Sequence, residues 1–581
     1  MKSSLTVEKV QWILNFPDFS EEDRAFFEYL AEFEEKSDPW VYLLAGMTMA
    51  VVREGSSCLD LSSPPMQFEE LLERQQVSWP SEGDWERLFE ISSIVGSEED
   101  YAPLIFVKPN LLYLQRYYDH EKRLSSAVKR KCSQTSKSAN EAIDSSTQDQ
   151  AVNRALSQTF HIITGGPGTG KTTLALKFVV EWLKRQDDLS SVRLAAIAPT
   201  GKAAARLAES FSQGIESLET SRDVRDFVSR IDCSTIHRLL GISGSGSLPK
   251  FDSETPLDID LVIADECSMI DLTLMRYLIE ALPDQASILM LGDADQLSSV
   301  QVGTVLKDLV EVSKSSSSPL NGNVSQLSKT YRFSEDSPIF RICQSAKTGD
   351  LETFEALTKE NSRNDVTLAS LSQAEVQSDR ALIELAKKEY RHVHDSKTPS
   401  EALSAIENFV VLTPTNEGLH GAGNLNREII ESRSSQTEQE TLPARTPIMI
   451  RQNNYSLNLF NGDIGIIWHD EEGRAARAVF PSNDNGYRAI PLSLLPEFEP
   501  AYAITIHKSQ GSEYNHVCVV LHPNETLILS RELIYTAFSR AKEKLSIFSN
   551  PEVMQDALQR KVRRASGLSQ RLANEFSNST H

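Results

Sequence analysis

Cysteine is scarce in this chain: six residues among 581, at positions 58, 132, 233, 267, 343 and 518, with no C-x-x-C pair. That spacing offers neither a zinc site nor a disulfide framework, and leaves the thiols as small buried hydrophobes. No apolar run reaches the roughly 18–20 residues that a membrane span needs. The opening MKSSLTVEKVQW lacks the apolar core of a secretion signal, so the expected location is the cytoplasm. Positive charge is short as well. A net charge of −23 excludes a protein that coats nucleic acid by bulk attraction. It leaves room for a local basic groove, because counterion release depends on the contacts made there. Much of the acid lies in the first hundred residues, as in Ser20-Glu21-Glu22-Asp23 and Glu32-Phe33-Glu34-Glu35.

What is present centres on residues 160–173, FHIITGGPGTGKTT. The apolar, β-branched run 160–164 predicts a buried parallel strand. Gly165, Gly166, Pro167, Gly168, Thr169, Gly170, Lys171 and Thr172 fit G-x-x-x-x-G-K-[ST], and Thr173 follows. Leu174, Phe178, Val179 and Trp182 then mark one face of a helix. Glycines let several backbone N–H groups converge on one polyphosphate, and the helix N-terminus adds its positive end. Lys171 supplies a cation for the β- and γ-phosphates, and Thr172 a hydroxyl for Mg²⁺.

The length allows roughly four domains. Residues 1–121 predict a helical, acidic domain without catalytic residues: Phe26, Phe27, Leu30 and Phe33 fall at helical spacing, and 41–52 is a long apolar helix. Its functional reading is docking to other proteins. Residues 122–149 are basic and polar (Lys122, Arg123, Lys129, Arg130, Lys131, Lys137) and read as a flexible linker, or alternatively as a DNA-touching arm. Strands then alternate with helices, the pattern of a parallel α/β sheet, in one unit over 150–326 and a second over 327–575. Gly- and Ser-rich residues 241–257 predict a small hairpin, and 443–499 an inserted β-barrel with a turn at Asn461-Gly462-Asp463.

Polar sets stand at strand ends, where open α/β sheets hold ligands. Asp265 and Glu266 follow one strand: the first suits a metal ligand, the second a base for the attacking water. Gln296 follows the next strand and suits a γ-phosphate or water sensor, or is a polar loop residue. Arg332 and Arg540 lie in the second unit, either as structural ion-pair partners or as cations that neutralise a transferring phosphoryl group across a cleft. Gln150, opening the helix before the phosphate-binding strand, offers the paired donor and acceptor that reads an adenine edge.

In order, the chain carries GGPGTGKTT, APTGKAAARL, TIHRLLG, ADECSM, GDADQLSSV, YRF, AITIHKSQGSEY and YTAFSRAK. Together they resemble the motifs of superfamily-one DNA helicases of the 5′-to-3′ branch, and within it the RecD subunits of exodeoxyribonuclease V, the RecBCD enzyme. Residues 39–61, ending in VREGSSCLDL, are similar to the N-terminal domain of that family. The resemblance implies an α/β fold of two RecA-like motor domains with an SH3-like barrel insertion, ATP and Mg²⁺ as cofactors, and RecB-like and RecC-like partners in a heterotrimer on DNA ends. It makes Gln150 the adenine contact, Glu513 a ribose contact beside Gly511, and Gln296, Arg332 and Arg540 γ-phosphate residues. Thr200, Thr235, His237, Thr505 and His507 would line the single-strand track. Cys267 stands where the family has a small residue. A stand-alone RecD-like helicase is the alternative, but residues 1–120 lack the Gly-rich helix-hairpin-helix repeats that such chains carry. No Asp…Glu-x-Lys nuclease cluster stands in a convincing context, and the resemblance implies that cutting belongs to the RecB-type partner.

Overall fold

The computed structural model describes residues 5–33, 37–90, 92–133, 148–244, 246–315, 318, 320–334, 336–359, 365–371, 380–433, 442–469, 476–482, 486–522 and 528–577. The N-terminal part is built on the helix Pro39–Arg53, almost wholly buried. Asp38 caps it by accepting Trp40 N–H (3.0 Å), and Pro39 takes the first turn, where its missing N–H costs nothing. Trp40, Trp79 and Trp85 pack edge to face around it. The periodicity predicts a helical domain, but this part also holds a sheet. Leu104–Val107 and Leu111–Leu114 pair antiparallel within a four-stranded sheet. Both are apolar runs too short for a helix and joined by Lys108-Pro109-Asn110, so turn chemistry decides the matter.

A second correction concerns residues 122–149. Those from 134 to 147 lie outside the described residues, but the first part belongs to a long helix, Gln115–Cys132. Its stripe Leu124, Ala127, Val128 and Cys132 is buried against Val262, Ile288 and Leu278 of the next domain. Its cations are pinned rather than loose. Arg123 grips Glu280 through two bonds (2.7 and 2.9 Å). Arg130 pairs with Asp284 (2.8 Å), and buried Lys131 donates to the carbonyls of Pro283, Asp284 and Ala286. The composition shows the basic outer face; the buried stripe carries the fold.

The first motor sheet has six parallel strands in the order Val324–Leu327, Phe160–Gly165, Ser287–Gly292, Leu261–Ala264, Leu194–Ala198, Asp232–Thr235. Alternate residues feed two cores: Phe160 and Ile162 face the Gln115–Cys132 side, and Ile163 faces the helices Lys171–Leu183 and Gly201–Ile215. The second motor sheet has five parallel strands, Val366–Ala369, Ala541–Ser549, Tyr514–Leu521, Phe409–Thr413, Ala503–Thr505. Inserted before the last of these in space is a five-stranded antiparallel sheet, ordered Gly486–Pro491, Arg477–Ser482, Ile464–Trp468, Pro447–Ile450, Phe498–Pro500. Residues 241–257 hold no strand among the described residues; Lys250 N–H to Leu240 O (2.9 Å) closes them as a loop. Glycine and serine supply none of the β-branched side chains that hold a ladder together.

The helix Leu568–Ser577 returns to the first motor domain, burying Leu568 and Leu572 in the core that holds Leu124 and Leu309. Just before it, the Ser566 hydroxyl lies between two carboxyls, the buried Glu121 (3.2 Å) and the half-buried Asp308 (2.9 Å). None of the six cysteines is in a disulfide. Among the described residues, no helix is long and apolar enough to cross a membrane.

Candidate active site and nucleic-acid track

The strand Phe160–Gly165 ends in a loop whose Gly168 (φ 73°) and Gly170 (φ 78°) occupy the left-handed region that favours glycine. The loop is also crowded. A methyl on Gly168 would lie 2.4 Å from Cβ of Arg332, a residue of the second motor domain. Lys171 opens the next helix and donates to the carbonyls of Gly165 (2.6 Å) and Gly166 (3.1 Å). Its charge is thus held at the mouth of the loop by groups that a phosphate can replace. Thr172 is half-buried beside it and Thr173 is exposed.

Asp265 and Glu266 stand at the end of Leu261–Ala264. Glu266 has φ 52° and ψ 40°, an unusual backbone state for a side-chain-bearing residue, of the kind that costs roughly 1–3 kcal/mol. Its N–H donates to Asp265 Oδ1 (2.8 Å), and its Oε1 lies 4.0 Å from where a Cβ on Gly511 would stand. Burial, and then the adjacent Glu266 carboxylate, push Asp265 up to about 7, against a pull from Lys171. Among the described residues no group of three or more His, Cys, Asp or Glu side chains could hold a metal ion.

Gln296 is buried and donates to Asp293 Oδ2 (3.1 Å). The same carboxylate accepts the Tyr535 hydroxyl from the second motor domain (2.9 Å), and burial raises its pKa. Thr536 accepts Leu297 N–H (2.8 Å), and Gln510 donates to Leu297 O (3.0 Å). The loop after Gln296 is therefore gripped from across the cleft. Arg332 pairs with Glu513. Burial works to raise that carboxyl, but the Arg332 charge and hydrogen bond outweigh it and hold it below its ordinary value. Arg332 Nη1 is buried with no hydrogen-bond partner among the described residues, an orphaned cationic donor beside the phosphate-binding loop, as a polyphosphate site needs. Arg540, fully buried, donates to Thr536 O, Ser512 O and Ser539 Oγ, all of its own domain. A cavity of about 350 Å³ opens between the domains, lined by Pro167, Thr169, Phe333, Cys343, Lys347 and Tyr535.

Thr200, Thr235 and Thr505 each stand at the end of a parallel strand. Thr200 caps the helix Gly201–Ile215 by accepting Ala203 N–H (3.2 Å), and Thr235 accepts Arg238 N–H (3.2 Å). Thr505 accepts Lys508 N–H (3.4 Å). His237 is exposed and His507 half-buried. The inserted sheet reaches this surface: a methyl on Gly201 would lie 2.3 Å from Phe460 Cγ.

Three family models match the chain: an AAA domain over residues 148–302, a UvrD-like helicase C-terminal domain over 500–548, and the N-terminal domain of RecBCD enzyme subunit RecD over 19–113. The RecBCD enzyme subunit RecD of Mycolicibacterium smegmatis is 31% identical over 556 residues, covering 94% of this chain and 95% of its own. The chain belongs to the RecD family. It is an ATP-dependent DNA helicase of α/β, RecA-like architecture. The ATP-dependent RecD2 DNA helicase of Deinococcus radiodurans is 29% identical over 391 residues, 66% of this chain and 46% of that one. A Pif1 helicase in a structure of DNA unwinding at forked duplex is 15% identical, with a TM-score of 0.40 over 76% of this chain and 98% of that one.

Several neighbours of the cleft in this RecD-family chain escape a reading of the sequence. Gln148, not Gln150, touches the phosphate-binding loop: its Nε2 donates to Thr169 O (3.2 Å). The Gln150 carboxamide oxygen is buried with no hydrogen-bond partner among the described residues. The helix begins at Gln148, two residues earlier than periodicity suggests, and both positions are glutamine. Asp293 and Tyr535 each sit inside a recognisable motif, but their pairing across 242 residues has no local signal.

Proposed function

We propose that this chain is the 5′-to-3′ motor of a RecBCD-type helicase–nuclease, acting in the cytoplasm on DNA ends in a heterotrimer with RecB-like and RecC-like subunits. The observation that carries the nucleotide reading is a glycine loop whose lysine is satisfied only by carbonyls, packed at Gly168 against Arg332, one of whose guanidinium nitrogens is buried without a hydrogen-bond partner among the described residues. In this reading Lys171 and the loop N–H groups bind the ATP phosphates, while Gln148, set against that loop, serves the base in place of Gln150. Mg²⁺ would be shared by Thr172, Asp265 and the phosphates, since among the described residues no group of three or more His, Cys, Asp or Glu side chains could hold it alone. Glu266 orients and deprotonates water, and Gln296 senses the γ-phosphate. Arg332, packed against the loop at Gly168, and Arg540, once freed from the Ser512 and Thr536 carbonyls, reach the γ-phosphate; Glu513 and Gly511 flank the ribose. Thr200, Thr235, His237, Thr505 and His507 carry the strand, with hydroxyls and imidazoles making contacts that break at each step. The antiparallel insertion serves as the SH3-like barrel of this branch. The match of residues 19–113 to a RecD N-terminal domain favours the subunit over a stand-alone helicase.

The test is unwinding by the complex with the RecB-type ATP site inactivated, on duplexes bearing a 5′ or a 3′ single-stranded tail. Unwinding is expected from the 5′ tail. Lys171→Gln should remove it, with ATP turnover falling on the order of a thousandfold, as when a preorganised cation is lost from a phosphoryl site. Unwinding from the 3′ tail alone would refute the polarity. A Lys171→Gln chain keeping a large part of its turnover would refute the site.

A further inference from the structure

Past the helix Pro551–Gln559 the chain leaves the second motor domain and crosses to the first. Residues 560–566 are anchored at both ends. On the near side, Arg531 N–H donates to Arg560 O (2.8 Å), and Val562 N–H to Glu532 Oε2 (2.9 Å). Both partners lie in the first turn of Arg531–Phe538, the helix that carries Tyr535 and Thr536. On the far side, Arg564 Nη1 donates to Ser299 O (2.7 Å) and Gln301 O (3.4 Å), within the loop that follows Gln296.

The next residue belongs to a different contact. Ala565 O accepts Ser57 N–H (2.9 Å), and Ala565 N–H donates to Ser56 Oγ (3.2 Å), both in the N-terminal domain. Gly303 N–H to Gly55 O (2.9 Å) closes the junction. The guanidinium lies against Gly55, whose φ is +97°; a methyl there would stand 2.4 Å from Arg564 Cζ. Burial lowers the Arg564 pKa, and among the described residues no carboxylate pairs with it. Arg564 is half-buried, and where its Nη1 leaves water the two loop carbonyls of Ser299 and Gln301 replace that hydration. The contact favours the loop shape that aims both carbonyls at one guanidinium. His507 is close enough to feel the same charge.

We propose that Arg564 is a positioning residue of the ATPase: it sets the 297–303 loop, hence Gln296, and ties that setting to the N-terminal domain through Gly55. This rests on the reading of Gln296 as the nucleotide sensor. The arrangement gives a partner bound to the N-terminal domain a short physical route to ATP hydrolysis, through the Arg564 side chain beside the Gly303–Gly55 backbone bond.

The experiment is steady-state ATP hydrolysis by the full chain, with and without oligothymidylate, in Arg564→Ala, Arg564→Lys, Gly55→Ala and Gln296→Ala variants, with thermal unfolding alongside. Arg564→Ala should lower the DNA-stimulated kcat about tenfold with KM for ATP within about twofold, the signature of a lost transition-state arrangement rather than lost binding. Arg564→Lys should recover part of the rate, since an ammonium still reaches one carbonyl. Gly55→Ala should lower kcat as Arg564→Ala does, by displacing the guanidinium from a site remote from ATP. If Arg564→Ala unfolds the chain, Arg564→Lys and Gly55→Ala decide. An unchanged kcat in Arg564→Ala or Gly55→Ala, or a rise in KM alone, overturns the proposal. Gln296→Ala separates the two claims. If it keeps stimulated turnover, the sensor reading fails. If it loses turnover while Arg564→Ala does not, only the role of Arg564 fails.

Discussion

Gln148 and Gln150 are two residues apart and identical in type, yet very different in place. Gln148 braces the phosphate-binding loop through Thr169 O, and a methyl on Gly170 would lie 2.8 Å from its amide nitrogen. Removing one such bond is worth about 1 kcal/mol, so Gln148→Ala should raise KM for ATP about fivefold. Gln150→Ala should leave KM within about twofold. Initial-rate ATPase at saturating oligothymidylate measures both, and the reverse ranking would return the adenine role to Gln150. Lys171, Asp265, Glu266 and Gln296 were legible in the sequence because each follows a strand at a fixed offset, and chain order alone carries them to one edge. Tyr535 against Asp293 was not, because nothing near either residue encodes the other.

At the level of elements, the central parallel strands such as Phe160–Gly165, Leu261–Ala264 and Tyr514–Leu521 were readable from short apolar runs; the more polar Asp232–Thr235 and Val324–Leu327 and the helix Gln115–Cys132 were not. Its sequence is dominated by an exposed basic face, while the buried stripe of Leu124, Val128 and Cys132 is too sparse to stand out from the polar residues around it. The inserted sheet was recognisable from the Asn461-Gly462-Asp463 turn, but the docking of that turn was not. Phe460 packs on Gly201, where any Cβ would collide with the ring. Gly201→Ala should therefore lift the insertion from the first motor domain and weaken single-strand binding about tenfold. In a Phe460→Ala background the same change should cost little, because residues in contact do not act additively. Anisotropy of labelled oligothymidylate completes the cycle. Equal losses in both backgrounds would mean that the insertion does not act through this contact.

Across the whole molecule, the N-terminal domain, the first motor domain and the returning C-terminal segment meet around Ser566. Burial pushes Asp308 up to about 7 and also raises Glu121. The groups facing them are Ser57, Tyr113 and Arg571 on the Glu121 side and Thr304 and Lys307 on the Asp308 side. The folded chain keeps the Asp308 proton between the ordinary carboxylate value of about 4 and about 7, where the unfolded chain has lost it. The native state then binds more protons, so stability falls as pH rises through that window and levels off above it. Asp308→Asn, neutral throughout, should raise Tm at about pH 8 and do little at about pH 4. Calorimetry of the full chain reads this, and an equal shift at both pH values would show that the carboxyl is ionised across the range.

The crossing segment also limits distance. Between Val562, bonded to Glu532, and Ala565, bonded to Ser57, lie three peptide steps, which reach about 10 Å when fully extended. While those bonds hold, the helix Arg531–Phe538 cannot travel farther than that from the N-terminal domain. The second motor domain is tethered there: as long as the Val562–Glu532 and Ala565–Ser57 bonds last, chain length sets how far that helix can move away, and ADP must leave and ATP enter within that reach.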